Sequence, residues 1–146
     1  MEIVGYVSAF IGNFLASSTI VFPIPFYLVY IYLATQLNPL LLSFLSAMGA
    51  SLGEMVGYVL GYAGSEFFKN NKWMKLARKW FKKNGALTIF IFAATPLPDD
   101  VVGIIAGAAK YNKSKFFISS LFGKFLFFFL LALFVRYSFT FINFFY

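Results

Sequence analysis

The sequence predicts an all-α integral membrane fold: two inverted repeats, each a re-entrant helical hairpin plus a spanning helix, with an interfacial amphipathic linker helix between them. Three observations carry this expectation. Charge is scarce, the basic residues gather in two short segments, and a P-x-P break interrupts the apolar sequence once in each half. Of the 146 residues 61% are hydrophobic and 12% charged, with a mean hydropathy of +0.81. A water-soluble domain carries about 25% charged residues, so a bilayer is the better solvent for this chain. No charge occurs from Ile3 to Ala34, only Glu54 from Leu37 to Ser65, and only Lys124 and Arg136 from Phe116 to Tyr146. Since roughly 20 apolar residues cross a bilayer, there is room for at least two crossings.

The expected organisation is a single membrane domain over 1–146, with repeat 1 at 3–66, a basic amphipathic linker at 67–84, repeat 2 at 85–137 and an apolar tail at 138–146. The N-terminal segment has Glu2 in place of a basic region and no small-residue cleavage site, so it reads as a retained segment. Repeat 1 opens with an uncharged arm from Ile3, breaks at Pro23 and Pro25, and continues in a second arm ending near Leu37. Proline lacks a backbone donor and disfavours helix in the residue before it, so P-x-P ends one arm and pre-sets the next. A long helix then runs from Pro39 to Ser65.

The linker carries Lys69, Lys72, Lys75, Arg78, Lys79, Lys82 and Lys83. Its stretch from Asn71 sets Trp73, Leu76, Ala77 and Trp80 on one helical side against the cations, which suits a helix lying among anionic headgroups at the cytoplasmic interface. A second basic segment holds Lys110, Lys113 and Lys115, so ten of the twelve basic residues lie in these two places. The positive-inside rule asks both to face the cytoplasm. Between them the arm from Gly85 to Thr95 reaches roughly 16 Å, about half of a 30 Å hydrocarbon core. A hairpin turning back at PLPDD (96–100) keeps both basic segments on one side; a broken spanning helix would separate them. The second long helix is expected from Ser114 to about Arg136.

The two halves align weakly. Twenty-nine residues after Pro25 comes Glu54, and twenty-six after Pro98 comes Lys124, each directly after a glycine. Inverted repeats with broken helices meeting at the midplane are the architecture of transporters, with the site at the repeat interface. Four ordinary helices with no functional break are the plainer alternative.

Depth gathers the candidate residues. Glu54 lies roughly 22 Å along its helix and Lys124 roughly 15 Å along its own, near the level of the hairpin tip. Glu54, Asp99, Asp100 and Lys124 are thereby expected in one layer, where ionisable groups must pair, face a cavity or be neutral. Three acids against one lysine make Glu54, Asp99 and Asp100 candidate proton or cation sites, and Lys124 an acid partner or a phosphate contact. Pro96, Pro98, Pro23 and Pro25 mark the hairpin tips as candidate substrate-binding elements. Both aspartates also suit the first turn of the helix after Pro98, where acids cap and oppose the helix dipole. Gly49, Gly53, Gly57 and Gly61, four apart, and Gly103 with Gly107 form small-residue faces for close helix packing.

With neither cysteine nor histidine, the chain has no thiol or imidazole nucleophile, no disulfide and no His or Cys metal ligand, and no cofactor is expected. The net charge of +7 does not point to nucleic acid, because the aromatic residues lie in apolar runs and not among the basic ones.

At these residues the chain resembles the DedA family, also called VTT or SNARE-associated membrane proteins. The family's glycine-acidic segment is similar to GASLGEMVGYVLGYAG, at Gly53, Glu54, Tyr58, Gly61 and Gly64. Its second motif resembles FIFAATPLPDDVVGIIAGAAKYNKSKFFISSLFGK, at Phe92, Pro96, Pro98, Gly107, Phe116 and Gly123. The resemblance covers roughly residues 20 to 135. It implies two facing re-entrant hairpins and movement of lipids across the bilayer, polyprenyl-phosphate carriers and phospholipids among them. Many bacterial members carry arginines beside the tip proline, where this chain has Ala94, Thr95, Asp99 and Asp100. Any phosphate contact then falls to Lys124 or to the helix amides after Pro98, or is absent.

The expected function is therefore a lipid flippase or scramblase in the cell membrane, multi-pass, with the linker cytoplasmic, no enzymatic chemistry, and homo-oligomerisation left open. A small proton-coupled solute exporter and a non-transporting scaffold that docks a partner through the basic linker are the alternatives.

Overall fold

The computed structural model describes residues 1–19 and 26–146, and every described element is helical. Helix α1 covers Glu2–Ser18, α2 Tyr27–Gln36, α3 Pro39–Ala63, α4 Lys72–Ala93, α5 Asp99–Ala108 and α6 Lys113–Phe145, with a 3-10 turn at Ser65–Phe68. The P-x-P break at Pro23 and Pro25 lies outside the described residues.

The two long helices begin the same way. Asn38 precedes α3 and its side chain accepts hydrogen bonds from the Leu40 and Leu41 amides, with Pro39 at the first helical position. Asn112 precedes α6 and accepts from the amides of Ser114 and Lys115. Such caps satisfy donors that the first helical turn leaves open. Both helices are long and apolar enough to cross a membrane. The first ends at Ala63, where Gly64 leads into the 3-10 turn, slightly before the expected Ser65. The second continues through Arg136 to Phe145, so the apolar tail is the end of α6.

The ten-residue helices α2 and α5 are about 15 Å long, too short to span the hydrocarbon core. Helix α4 is bent at Asn84, whose φ of −130° and ψ of 16° interrupt the helical geometry, so residues 72–83 and 85–93 run in different directions. Thr88 braces the bend: its hydroxyl donates to Asn84 O and accepts from Trp80 Nε1, each at 2.9 Å. Expected linker and expected membrane arm are thus parts of one bent helix.

Helix α1 packs along α3 and α4 along α6, while α5 packs on α3 and α2 on α6. Each long helix therefore holds one short helix from the other half of the chain. Two apolar clusters fill the interior, one around Tyr30, Leu42 and Phe128, the other around Tyr58, Phe81 and Phe116. The other buried positions are small or polar, with Ser43, Ser46, Ser51 and Ser120 fully enclosed. Large apolar side chains such as Leu28, Val59, Leu60, Leu130 and Phe134 face outward. Buried serines and close glycine contacts beside apolar clusters, under a greasy exterior, suit lipid, where close packing and interhelical hydrogen bonds hold helices together in place of the hydrophobic effect.

Candidate functional site

Glycine brings the backbones close enough for one buried cluster to form. A Cβ at Gly61 would lie 2.0 Å from Ile104 O and one at Gly107 2.0 Å from Tyr58 O, so α3 and α5 touch backbone to backbone. Gly49 and Gly53 turn to the other side, against Phe10 O and Phe14 O of α1. The glycine face of α3 thus serves two neighbours, α1 along its first half and α5 along its second. Gly57 is less crowded, with its nearest neighbour at 3.7 Å, and Gly103 faces Glu54 O and Phe116 at ordinary contact distance.

At this junction α3 supplies Glu54, α6 Lys124 and α5 Asp99. Glu54 and Lys124 are 5% and 7% exposed. Lys124 Nζ lies 2.6 Å from Glu54 Oε1, close enough for an ion pair though poorly directed for a hydrogen bond, so charge more than bond geometry couples them. The same ammonium donates a hydrogen bond to Asp99 Oδ2. Ser120, one turn before Lys124, donates to the other Glu54 oxygen, and Ser51 Oγ lies 3.4 Å from Ser120 Oγ. If all three ionise, two carboxylates share one ammonium and one negative charge is unmatched. Unmatched charge in a low-dielectric interior is costly.

Asp100, the next residue, is half-buried and makes no ion pair among the described residues. Neither aspartate makes a side-chain cap hydrogen bond, because Pro98 occupies the N-cap position; both stand in the first turn of α5, where only the dipole contribution remains. The cap expected of them is replaced, for Asp99, by the pairing with Lys124.

A cavity of about 300 Å³ opens beside the cluster. Asp99 and Lys124 form its polar wall, Thr95, Pro96 and Leu97 its rim, and Tyr27 and Ile31 of α2 with Phe127 and Leu131 of α6 its apolar side. The cavity is thus bordered by the segment between α4 and α5 and by α2. Its mixed lining, mostly apolar with few converging polar groups, is that of a ligand pocket. Among the described residues no three metal-ligating side chains converge.

Sequence reasoning missed Ser120 and Tyr27. Ser120 stands four residues before Lys124, hence on the same helical face, and that spacing was the available signal. It also assigned nothing to Arg136, which donates to Ala34 O and Leu37 O and so ties the end of α2 to α6.

Helices long enough to span, an outward apolar surface and a buried charge cluster define an all-helical membrane protein. The VTT domain model matches residues 22–137, and the chain belongs to that family, the DedA family. It is also 25% identical over 123 residues to a Haemophilus influenzae protein described only as uncharacterized, an alignment covering 77% of this chain and 64% of that protein. The chain thus spans less than two thirds of that relative's length. No solved structure matches it.

Proposed function

We propose that the protein moves an anionic lipid, of which a polyprenyl phosphate is the leading candidate, across the bilayer as a flippase or scramblase, without enzymatic chemistry. The observation that carries this reading is Lys124, held between Glu54 and Asp99 on the wall of a 300 Å³ cavity with an otherwise largely apolar lining. A phosphate entering the cavity competes with Asp99 for the ammonium, while the lipid tail stays among the outward apolar side chains. The carboxylate released from Lys124 then favours a proton or a cation, which couples lipid movement to ion movement.

The cross-packing of α2 on α6 and of α5 on α3 supports an inverted repeat of hairpin plus spanning helix. In this reading the chain crosses the membrane at α3 and α6, turns back at the P-x-P break between α4 and α5, and keeps its linker in the cytoplasm. The exposed Trp73, Leu76 and Trp80 then lie in the interface with the surrounding cations on anionic headgroups.

The test is reconstitution in liposomes with a labelled polyprenyl phosphate and a labelled phospholipid, read by a membrane-impermeant reagent, for wild type, Asp99→Asn and Glu54→Gln. Movement that both variants abolish, with the fold intact, supports the proposal. Full movement by both variants sinks it, and movement of neither lipid by folded wild type turns the cavity toward a water-soluble solute.

A further inference from the structure

We infer that the basic end of the protein holds a binding site for a phosphate monoester, in a groove between the bent helix α4 and the turn that joins α5 to α6. The groove has a volume of about 360 Å³ and is lined by Arg78, Phe81, Lys82, Lys110, Tyr111 and Lys115. Its four cations come from three separate places: two from α4, one from the turn, one from the first turn of α6. A run of lysines along one helix is ordinarily a solvated face, but convergence from separate segments onto one concavity is not produced by a run.

The backbone under these cations is pinned. Tyr111 packs its ring on Phe81, with centroids 5.6 Å apart, and over Gly85, where a Cβ would fall 2.7 Å from the ring. Tyr58 donates its phenolic hydrogen to Tyr111 O from the far side. Lys110 adopts a φ of 55°, a left-handed conformation that glycine favours and lysine rarely takes, and its amide bonds Gly107 O at 2.9 Å. This left-handed residue closes α5 and fixes where the Lys110 side chain leaves the backbone.

Little opposes the charge. Glu66 is the single carboxylate nearby among the described residues, 3.6 Å from Lys110, in a neighbouring depression that it shares with Lys69 and with the groove's Arg78 and Lys110 but not with Lys82 or Lys115. Lys82 and Lys115 have no ion-pair partner among the described residues. The first amides of α6 are already taken by Asn112, so an anion entering the groove is met by side chains. Arg78 offers a planar fork and the lysines mobile point charges, a combination suited to phosphate oxygens. A monoester carries close to two negative charges near neutral pH and a diester one, so the crowded cations favour the monoester. The ligand is either the headgroup of a lipid or a free phosphate, and the site does not depend on whether the midplane cavity transports.

The inference is tested on the full chain in detergent, with phosphatidic acid, phosphatidylglycerol and inorganic phosphate as probes, by native mass spectrometry and calorimetry. Lys82→Gln/Lys115→Gln is compared with Lys72→Gln/Lys75→Gln, an equal loss of charge outside the groove. The expected result is that wild type prefers phosphatidic acid to phosphatidylglycerol and that the groove variant binds it about tenfold more weakly, as loss of charge-assisted bonds requires. The control pair stays within about twofold, as for exposed charges. Competition by inorganic phosphate identifies a site open to soluble phosphate; binding of phosphatidic acid without competition identifies a lipid-headgroup site. Equal weakening in both variants, no weakening in the groove variant, or no preference for the monoester overturns the inference.

Discussion

Gly53 and Gly123 stand in matching surroundings: a Cβ on the first would lie 2.6 Å from Phe14 O, and a Cβ on the second 2.7 Å from Phe90 O. Each is followed by a charged residue of the buried cluster, Glu54 or Lys124, which pair at 2.6 Å. The close approach of α1 to α3, and of the arm 85–93 to α6, sets the depth from which each charged side chain departs. Packing and charge placement are therefore linked at these two positions, and a change in the first should be felt in the second.

Gly123→Ala is expected to destabilise the protein. Its Cβ would meet Ala93 Cβ at 2.6 Å and a backbone carbonyl, neither of which is a flexible tip, and overpacking of this kind costs about 1–3 kcal/mol. Gly57→Ala has space, so only the removal of glycine from a helix interior remains, which favours the variant by up to about 1 kcal/mol. Thermal unfolding in one detergent should therefore shift in opposite directions for the two variants. A lowered midpoint for Gly57→Ala as large as that for Gly123→Ala would contradict the close-packing account.

Lys124→Met should be more damaging alone than in company. Alone it leaves Glu54 and Asp99 buried without their shared cation, a change that typically costs about 3–5 kcal/mol. Combined with Glu54→Gln and Asp99→Asn, it leaves no buried charge, and most of the lost stability should return. Measured unfolding midpoints of the single and triple variants check this, while transport should be absent from both.

The parts of this arrangement that sequence reveals are those that composition and spacing control. Two apolar runs that are nearly free of charge marked α3 and α6, and distance along each helix placed Glu54 and Lys124 at one level. Depth, however, says nothing of rotation. That Asp99 turns to Lys124 while Asp100 does not depends on the phase of α5 against α6, which no local pattern records. Likewise Tyr30 donates to Phe128 O across 98 residues of sequence, and its role is invisible until the two helices meet. The aspartates were legible as first-turn residues, yet Pro98 and the lysine opposite decide that they do not cap.

Arg136→Gln is expected to loosen α2 more than the rest of the protein. The guanidinium donates to Ala34 O and Leu37 O at the end of that helix, and hydrogen bonds from charged groups contribute about 1.5–3 kcal/mol. Hydrogen exchange should accelerate over residues 27–37 with little change in α3. Arg136→Lys keeps the charge but loses the fork, so it should recover only part of the protection. Uniform acceleration throughout the chain would instead mark Arg136 as a global fold determinant.

The hairpin reading of the second half has a direct test, because the chain contains no cysteine and single cysteines can be placed at will. Between Lys75 and Lys113 the chain runs through the arm 85–93, the break at Pro96 and Pro98, and the ten residues of α5. The arm and α5 are roughly 13 and 15 Å long, so end to end they nearly cross the core, whereas folded back they reach only its middle. The two arrangements differ in one observable. Lys75→Cys and Lys113→Cys react with an impermeant maleimide from the same side if the chain turns back, and from opposite sides if it spans. Gln36→Cys, just before α3, should react from the side opposite to Lys75→Cys, since α3 separates them. The expected pattern is Lys75→Cys and Lys113→Cys protected in intact cells and Gln36→Cys labelled. Labelling of Lys113→Cys with Lys75→Cys protected would require the second half to span as a broken helix, and would remove Asp99 from a hairpin tip.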